Sequence, residues 1–155
     1  MLEEWGRAHL RGRVVTREHL HVTLAFLGSR PRDDVASVGA ALREAAAGAE
    51  AIRFSPVRYR ETRSVGMLVL ADETGAAGKL ALDVHERLRR LGVYEPEQRA
   101  WLAHITVLRF RRPERLRPPL PELGVFCPSD AAVYHSVLRS TGARYEVLDS
   151  FALGG

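Results

Sequence analysis

The chain has 155 residues, 46% of them hydrophobic, with 23 Lys plus Arg against 19 Asp plus Glu and a pI near 9.8. That length suits one domain, residues 1–155, burying roughly 70% of its unfolded surface, and no stretch approaches the ~20 apolar residues of a membrane span. The start lacks a signal-peptide pattern, which points to the cytoplasm. The lone Cys127 excludes an internal disulfide and reads as a small buried hydrophobe.

In chain order, residues 4–10 read as a helix and 19–27 as a strand. A helix is predicted from Ser29 to Ala47, with Asp33 and Asp34 in its first turn and Gly48 as its stop. Strands follow at 51–59 and 65–71. A second helix over 75–91 places Leu80, Val84, Leu88 and Leu91 on one face, with Gly92 after it. Then come a strand at 103–110, a loop through Pro113, Pro118, Pro119 and Pro121, and strands at 130–139 and 144–151. Arg139-Ser140-Thr141-Gly142 reads as the hairpin turn between the last two. No low-complexity linker divides the chain, and the order predicts an α+β fold.

One phrase occurs twice: Leu20-His21-Val22-Thr23-Leu24 and Ala103-His104-Ile105-Thr106-Val107. With six His and six Thr in the chain, about 0.2 His-x-Thr triplets are expected by chance, and about 0.05 once apolar neighbours are required. In a strand His21 and Thr23 point one way while Val22 and Leu24 point the other, so each copy has one apolar and one polar face. The copies lie 83 residues apart, about half the chain. That spacing suits a duplicated unit whose halves face each other, with an imidazole on either side of one cleft.

Imidazole changes charge near pH 6.5, so one His can accept a proton while its twin donates one. Two such groups beside a phosphorus suit displacement at a phosphodiester: one activates the nucleophile and the other protonates the leaving oxygen. The hydroxyls of Thr23 and Thr106 can donate to non-bridging oxygens. The scheme requires no metal and no other cofactor.

The paired motifs resemble those of the 2H phosphoesterase superfamily. The string from Arg17 to Gly28, Arg-Glu-His-Leu-His-Val-Thr-Leu-Ala-Phe-Leu-Gly, resembles its bacterial RNA 2′,3′-cyclic phosphodiesterase branch, long called 2′-5′ RNA ligases. The second motif runs on to Arg109, five places after His104 as in that family, and Ser136-Val137-Leu138 with Gly142 to Leu148 also fits. The resemblance implies a two-lobed, pseudo-twofold arrangement of duplicated antiparallel sheets, with helices outside and both motifs in a central cleft. It implies a metal-independent enzyme, with no cofactor, that hydrolyses 2′,3′-cyclic phosphate at RNA 3′ ends to a 2′-phosphate, any ligation being the reverse of phosphodiester opening. His104 is then the base and His21 the acid, with Thr23, Thr106 and Arg109 holding the phosphate. A monomer acting on RNA ends, away from any membrane, is expected. Met1-Leu2-Glu3-Glu4-Trp5 already reads as helix, so the family's opening apolar strand is expected either to lie upstream of Met1 or to be absent, and its loss would expose a sheet edge.

Other readings compete with this one. The same site could serve 2′-5′ oligonucleotides or a small cyclic-phosphate metabolite, or the chain could bind RNA ends without catalysis. Lys79 is the sole lysine, so the basic balance reflects arginine usage and speaks weakly for nucleic acid. Arg109 follows the second motif at a family position, whereas Arg111, Arg112, Arg115 and Arg117 read as a solvated loop. Five residues separate Arg109 from His104, an odd number, so an ideal strand puts them on opposite faces; a bulge after Thr106, or a side chain reaching round the strand end, would reconcile them. Trp101 and Phe26 read as core, with base stacking as the other role open to them. His19 shares a strand face with His21, yet no Cys or carboxylate cluster sits nearby to make a metal site. His85 and His135 read as structural and His9 as exposed. Gly75-Ala76-Ala77-Gly78-Lys79-Leu80 has the wrong glycine spacing for a phosphate loop and reads as a helix start. Nothing around Lys79 looks like a nucleotidylation site.

Overall fold

In the computed structural model the described residues, 1–140 and 142–154, run α1 (Leu2–His9), β1 (Arg13–Val14), a 3-10 turn (Arg17–His19), α2 (Asp34–Ala47), β2 (Phe54–Glu61), β3 (Val65–Asp72), α3 (Ala76–Arg90), β4 (His104–Arg109), β5 (Asp130–Arg139) and β6 (Gly142–Ala152). The expected α+β class is observed, with a four-stranded and a two-stranded antiparallel sheet. Two compact units result. Met1–Thr23, Arg53–Glu73 and Leu102–Phe126 make the first; Leu24–Ile52, Thr74–Trp101 and the chain from Cys127 on make the second.

The first unit is built on the sheet β1-β4-β3-β2. Its centre is β3, whose apolar run from Gly66 to Leu70 is buried at every residue, as a strand covered on both faces requires. Leu68 and Leu108 are fully buried. Helix α1 lies against β1 and β4, so close at Gly6 that a Cβ there would stand 2.9 Å from a Val14 methyl. Its Trp5 is buried and donates its indole N–H to the Pro119 carbonyl at 2.8 Å, tying the Pro-rich loop to the helix.

The strand expected over 19–27 is not formed as such. The free edge of β4 is covered instead by two short pieces, with Arg13 and Val14 opposite Arg109 and Leu108, and Val22 opposite Ile105. Between the pieces the register jumps by five residues, and the surplus chain forms the 3-10 turn at Arg17–His19. An interrupted edge strand therefore replaces a continuous one.

In the second unit α2 packs against α3 and against the β5–β6 hairpin. Helix α2 starts at Asp34 and not at Ser29, because Pro31 keeps Arg30 out of the helical region; Asp33 takes the cap position. On α3, Leu80, Val84 and Leu88 are buried as expected, whereas Leu91 lies past the last turn and is exposed, followed by Gly92 at φ +74°. The Arg89 guanidinium holds the Glu86 carboxylate down at about 2, but both groups lie in solvent, where such pairs contribute little to stability. Cys127 is exposed, which corrects the buried reading: it sits in the irregular chain before β5. Thr141 of the expected hairpin turn lies outside the described residues. No described helix is long and apolar enough to cross a membrane.

Leu108 is fully buried in the sheet and immediately precedes Arg109, so Leu108→Ala is expected to cost about 2–5 kcal/mol of stability in denaturant unfolding.

Candidate active site

Strand β4 carries the second motif, and the Val22–Ile105 bridge lays the first motif alongside it within the same unit. The bridge is antiparallel, so its register sets His21 beside Thr106 and Thr23 beside His104. Cross-strand neighbours project from the same face. Val22 and Ile105 thus point to one side, and both imidazoles with both hydroxyls point to the other. Opposed Cβ atoms in such a pair stand about 5 Å apart and diagonal ones about 7–8 Å, so the register makes His21 and His104 diagonal neighbours.

The two imidazoles are held in the same way. His21 Nδ1 lies 2.6 Å from the carbonyl oxygen of His19, and His104 Nδ1 lies 2.8 Å from that of Leu102, each carbonyl two residues upstream of its histidine. A carbonyl only accepts, so Nδ1 must carry the hydrogen in both rings, whatever the charge. In each ring the proton is therefore gained and lost at Nε2. This also accounts for His19, whose backbone orients His21 and whose own ring meets Thr16 Oγ1 at 3.4 Å. Among the described residues, no group of three or more His, Cys, Asp or Glu could hold a metal ion.

Arg109 reaches the same face through a bulge. Along β3, Met67 stands opposite Thr106 but the next residue back, Gly66, stands opposite Leu108, so Val107 is the extra residue. The phase shifts by one, Leu108 turns into the core, and Val65 faces Arg109 on the side of Thr106. The parity conflict of the sequence is resolved by the bulge. Opposite Arg109 on its other edge stands Arg13, a second arginine on the face of both motifs. Sequence reasoning missed Arg13, because only the register places it there.

The remaining candidates lie elsewhere. Arg111, Arg112, Arg115 and Arg117 are exposed in the loop, as expected. Arg115 adopts φ +56°, a strained conformation for a residue with a side chain, and Glu61 stabilises it by accepting the N–H groups of Arg115 at 2.7 Å and Leu116 at 3.0 Å. The same carboxylate accepts the Tyr59 hydroxyl at 3.1 Å, and burial together with this partner raises the Tyr59 pKa. In the second unit Phe26 is 80% exposed, which overturns its core reading, and Trp101 is half-buried. His85 is buried with Nε2 2.7 Å from the Leu24 carbonyl and its ring against Tyr94, a structural role as expected. His135 is exposed, 3.9 Å from Glu146, and serves at most a surface ion pair; His9 is exposed.

Residues 3–63, which include the first motif, match the family model described as LigT like phosphoesterase. The family that this chain resembles is the LigT-like phosphoesterases. The fold agrees over nearly the whole chain. TT0787 of Thermus thermophilus is 24% identical, with a TM-score of 0.80 over 99% of this chain and 88% of that one. Escherichia coli LigT in complex with 3′-AMP is 21% identical, and in complex with NADP+ 23%; each superposes with a TM-score of 0.82 over 98% of this chain and 88% of LigT. No curated protein matches in sequence. The LigT-like match in sequence covers the first histidine only, and the bridge to Ile105 is what brings the second beside it.

The two carbonyl bonds predict that neutral His21 and His104 are both Nδ1–H tautomers. Long-range proton–nitrogen NMR of the imidazoles, recorded above their titration, is expected to find unprotonated Nε2 in both rings; a protonated Nε2 in either neutral ring contradicts the arrangement.

Proposed function

We propose that this protein is a two-histidine phosphodiesterase that opens the 2′,3′-cyclic phosphate at RNA 3′ ends without a metal and leaves a 2′-phosphate, acting as a monomer in the cytoplasm. The observation that carries the reading is the matched pair of imidazoles on one sheet face, each with its Nδ1 on a backbone carbonyl two residues upstream, which makes Nε2 the nitrogen that exchanges the proton. His104 Nε2 takes a proton from water as the water oxygen bonds to phosphorus. The bond from phosphorus to O3′ breaks, and O3′ takes its proton from Nε2 of the His21 imidazolium. The products are a 2′-phosphate and a free 3′-hydroxyl. With an RNA 5′-hydroxyl in place of water, the same steps join two strands through a 2′-5′ linkage, and no ATP is needed.

Thr23 and Thr106 stand beside the rings and donate to the non-bridging oxygens. Arg109 offers its guanidinium fork to the same oxygens. The nucleotide class is supported by the LigT complexes: 3′-AMP carries a ribose phosphate, and NADP+ carries a ribose 2′-phosphate like the proposed product.

Turnover of a short RNA with a 2′,3′-cyclic end is the deciding assay, and a binder without turnover contradicts the reading. Because the two imidazoles supply both proton transfers, activity is expected to survive EDTA; abolition by the chelator and rescue by a divalent ion would sink the scheme.

General acid–base catalysis contributes roughly 10²–10⁴ per group, so His21→Ala and His104→Ala are each expected to lower kcat/KM at least about a hundredfold. The double variant should lose less than the product of the single losses, since both groups act in one transition state. The dependence of kcat/KM on pH is expected to be bell-shaped, its two limbs belonging to the pair.

Arg109→Lys is expected to lower kcat/KM although the charge is kept, since an ammonium cannot reproduce a two-point guanidinium contact. Unchanged kinetics would remove Arg109 from the site.

A further inference from the structure

The catalytic face does not end at β4. Along β3, Val69 stands opposite His104 and Met67 opposite Thr106; along β2, Arg58 stands opposite Val69 and Arg60 opposite Met67. With the bridge to the first motif, two rows cross the sheet. One runs Arg58, Val69, His104, Thr23, and the other Arg60, Met67, Thr106, His21. Members of a row share a face, so both guanidinium groups lie on the side of the imidazoles. Strands in a sheet are about 4.8 Å apart, which puts β2 about 10 Å from the motif on β4.

Three further observations bear on these two side chains. Both are exposed. Among the described residues neither joins a salt bridge, although all three arginines of α3 do. The carboxylate nearest in sequence, Glu61, stands opposite Gly66 on the other face, where it is engaged by Tyr59 and by the loop. Two cations outside any salt bridge among the described residues therefore lie about 10 Å from the motif on β4, with the buried Val69 and Met67 between.

We infer that Arg58 and Arg60 form a second phosphate subsite, which takes the backbone phosphate preceding the cyclic end and so makes the enzyme prefer an RNA strand over a mononucleotide. The assignment rests on the phosphodiesterase reading above. A cyclic end has no chain beyond it, so every further phosphate of the substrate lies on its 5′ side and a single cationic strand suffices to meet it. Phosphate contacts of this kind are read without regard to base and weaken as salt rises.

The test compares a nucleoside 2′,3′-cyclic monophosphate with a short RNA carrying the same cyclic end, each turned over by wild type and by the Arg58→Ala/Arg60→Ala double variant. Wild type is expected to favour the RNA. The variant is expected to lose at least about tenfold in kcat/KM on the RNA, chiefly through KM, and to keep its rate on the mononucleotide. Its slope of log kcat/KM against log salt should flatten by about 0.7 for each backbone phosphate no longer neutralised. Arg58→Lys/Arg60→Lys keeps the charge and should retain most of the preference. If the double variant prefers the RNA as strongly as wild type, or wild type shows no preference, the subsite does not exist and the arginines serve only to keep an edge strand from pairing. If wild type turns over neither substrate, the phosphodiesterase reading itself fails and takes the subsite with it.

Discussion

The site depends on one backbone contact, the antiparallel bridge between Val22 and Ile105. Strand β4 is paired along its inner edge by β3, and a strand end with an open outer edge would leave the second motif beside water. The bridge closes that edge where His104 and Thr106 stand and delivers His21 and Thr23 to the same face. Because side chains alternate with a period of two, a slip of one residue would turn all of the first motif's polar groups into the core. The buried side chain of Ile105 resists that slip from the opposite face.

The same strand solves a second problem with a bulge. An undistorted β4 would bury Arg109 and expose Leu108. The extra residue at Val107 exchanges them, so that a fully buried leucine and an exposed arginine follow His104 and Thr106. Its partner position is Gly66, where the Tyr59 ring occupies the space in which any Cβ would lie. Tyr59 in turn donates to Glu61, and Glu61 holds the strained Arg115 of the following loop. A chain of packing and hydrogen bonds on the far face thus anchors the strand and loop on either side of Arg109.

The imidazoles show how little is needed to assign roles to a pair of like residues. Each uses a carbonyl two residues upstream, a contact within its own stretch of chain, so the tautomer is set locally and identically in both copies. What the fold adds is the register that puts the two histidines on one face. Proton transfer in two directions then requires only that the rings differ in charge at the moment of reaction.

The sequence alone determined the α+β class, both helices of the second unit and the buried faces of Leu80, Val84 and Leu88, because these follow from periodicity and glycine stops, and a repeated motif that composition makes rare singled out the two histidines. It also posed the parity conflict of Arg109 correctly, with a bulge among the answers. It could not choose that answer, and it erred over 19–27, Phe26, Leu91 and Cys127, because edge pairing and exposure are set by partners distant in the chain. Arg13, Arg58 and Arg60 carried no signal for the same reason. A strand's alternation is legible in one dimension, but which of its faces meets a motif residue two strands away is fixed only by register, and register exists only once the sheet has formed.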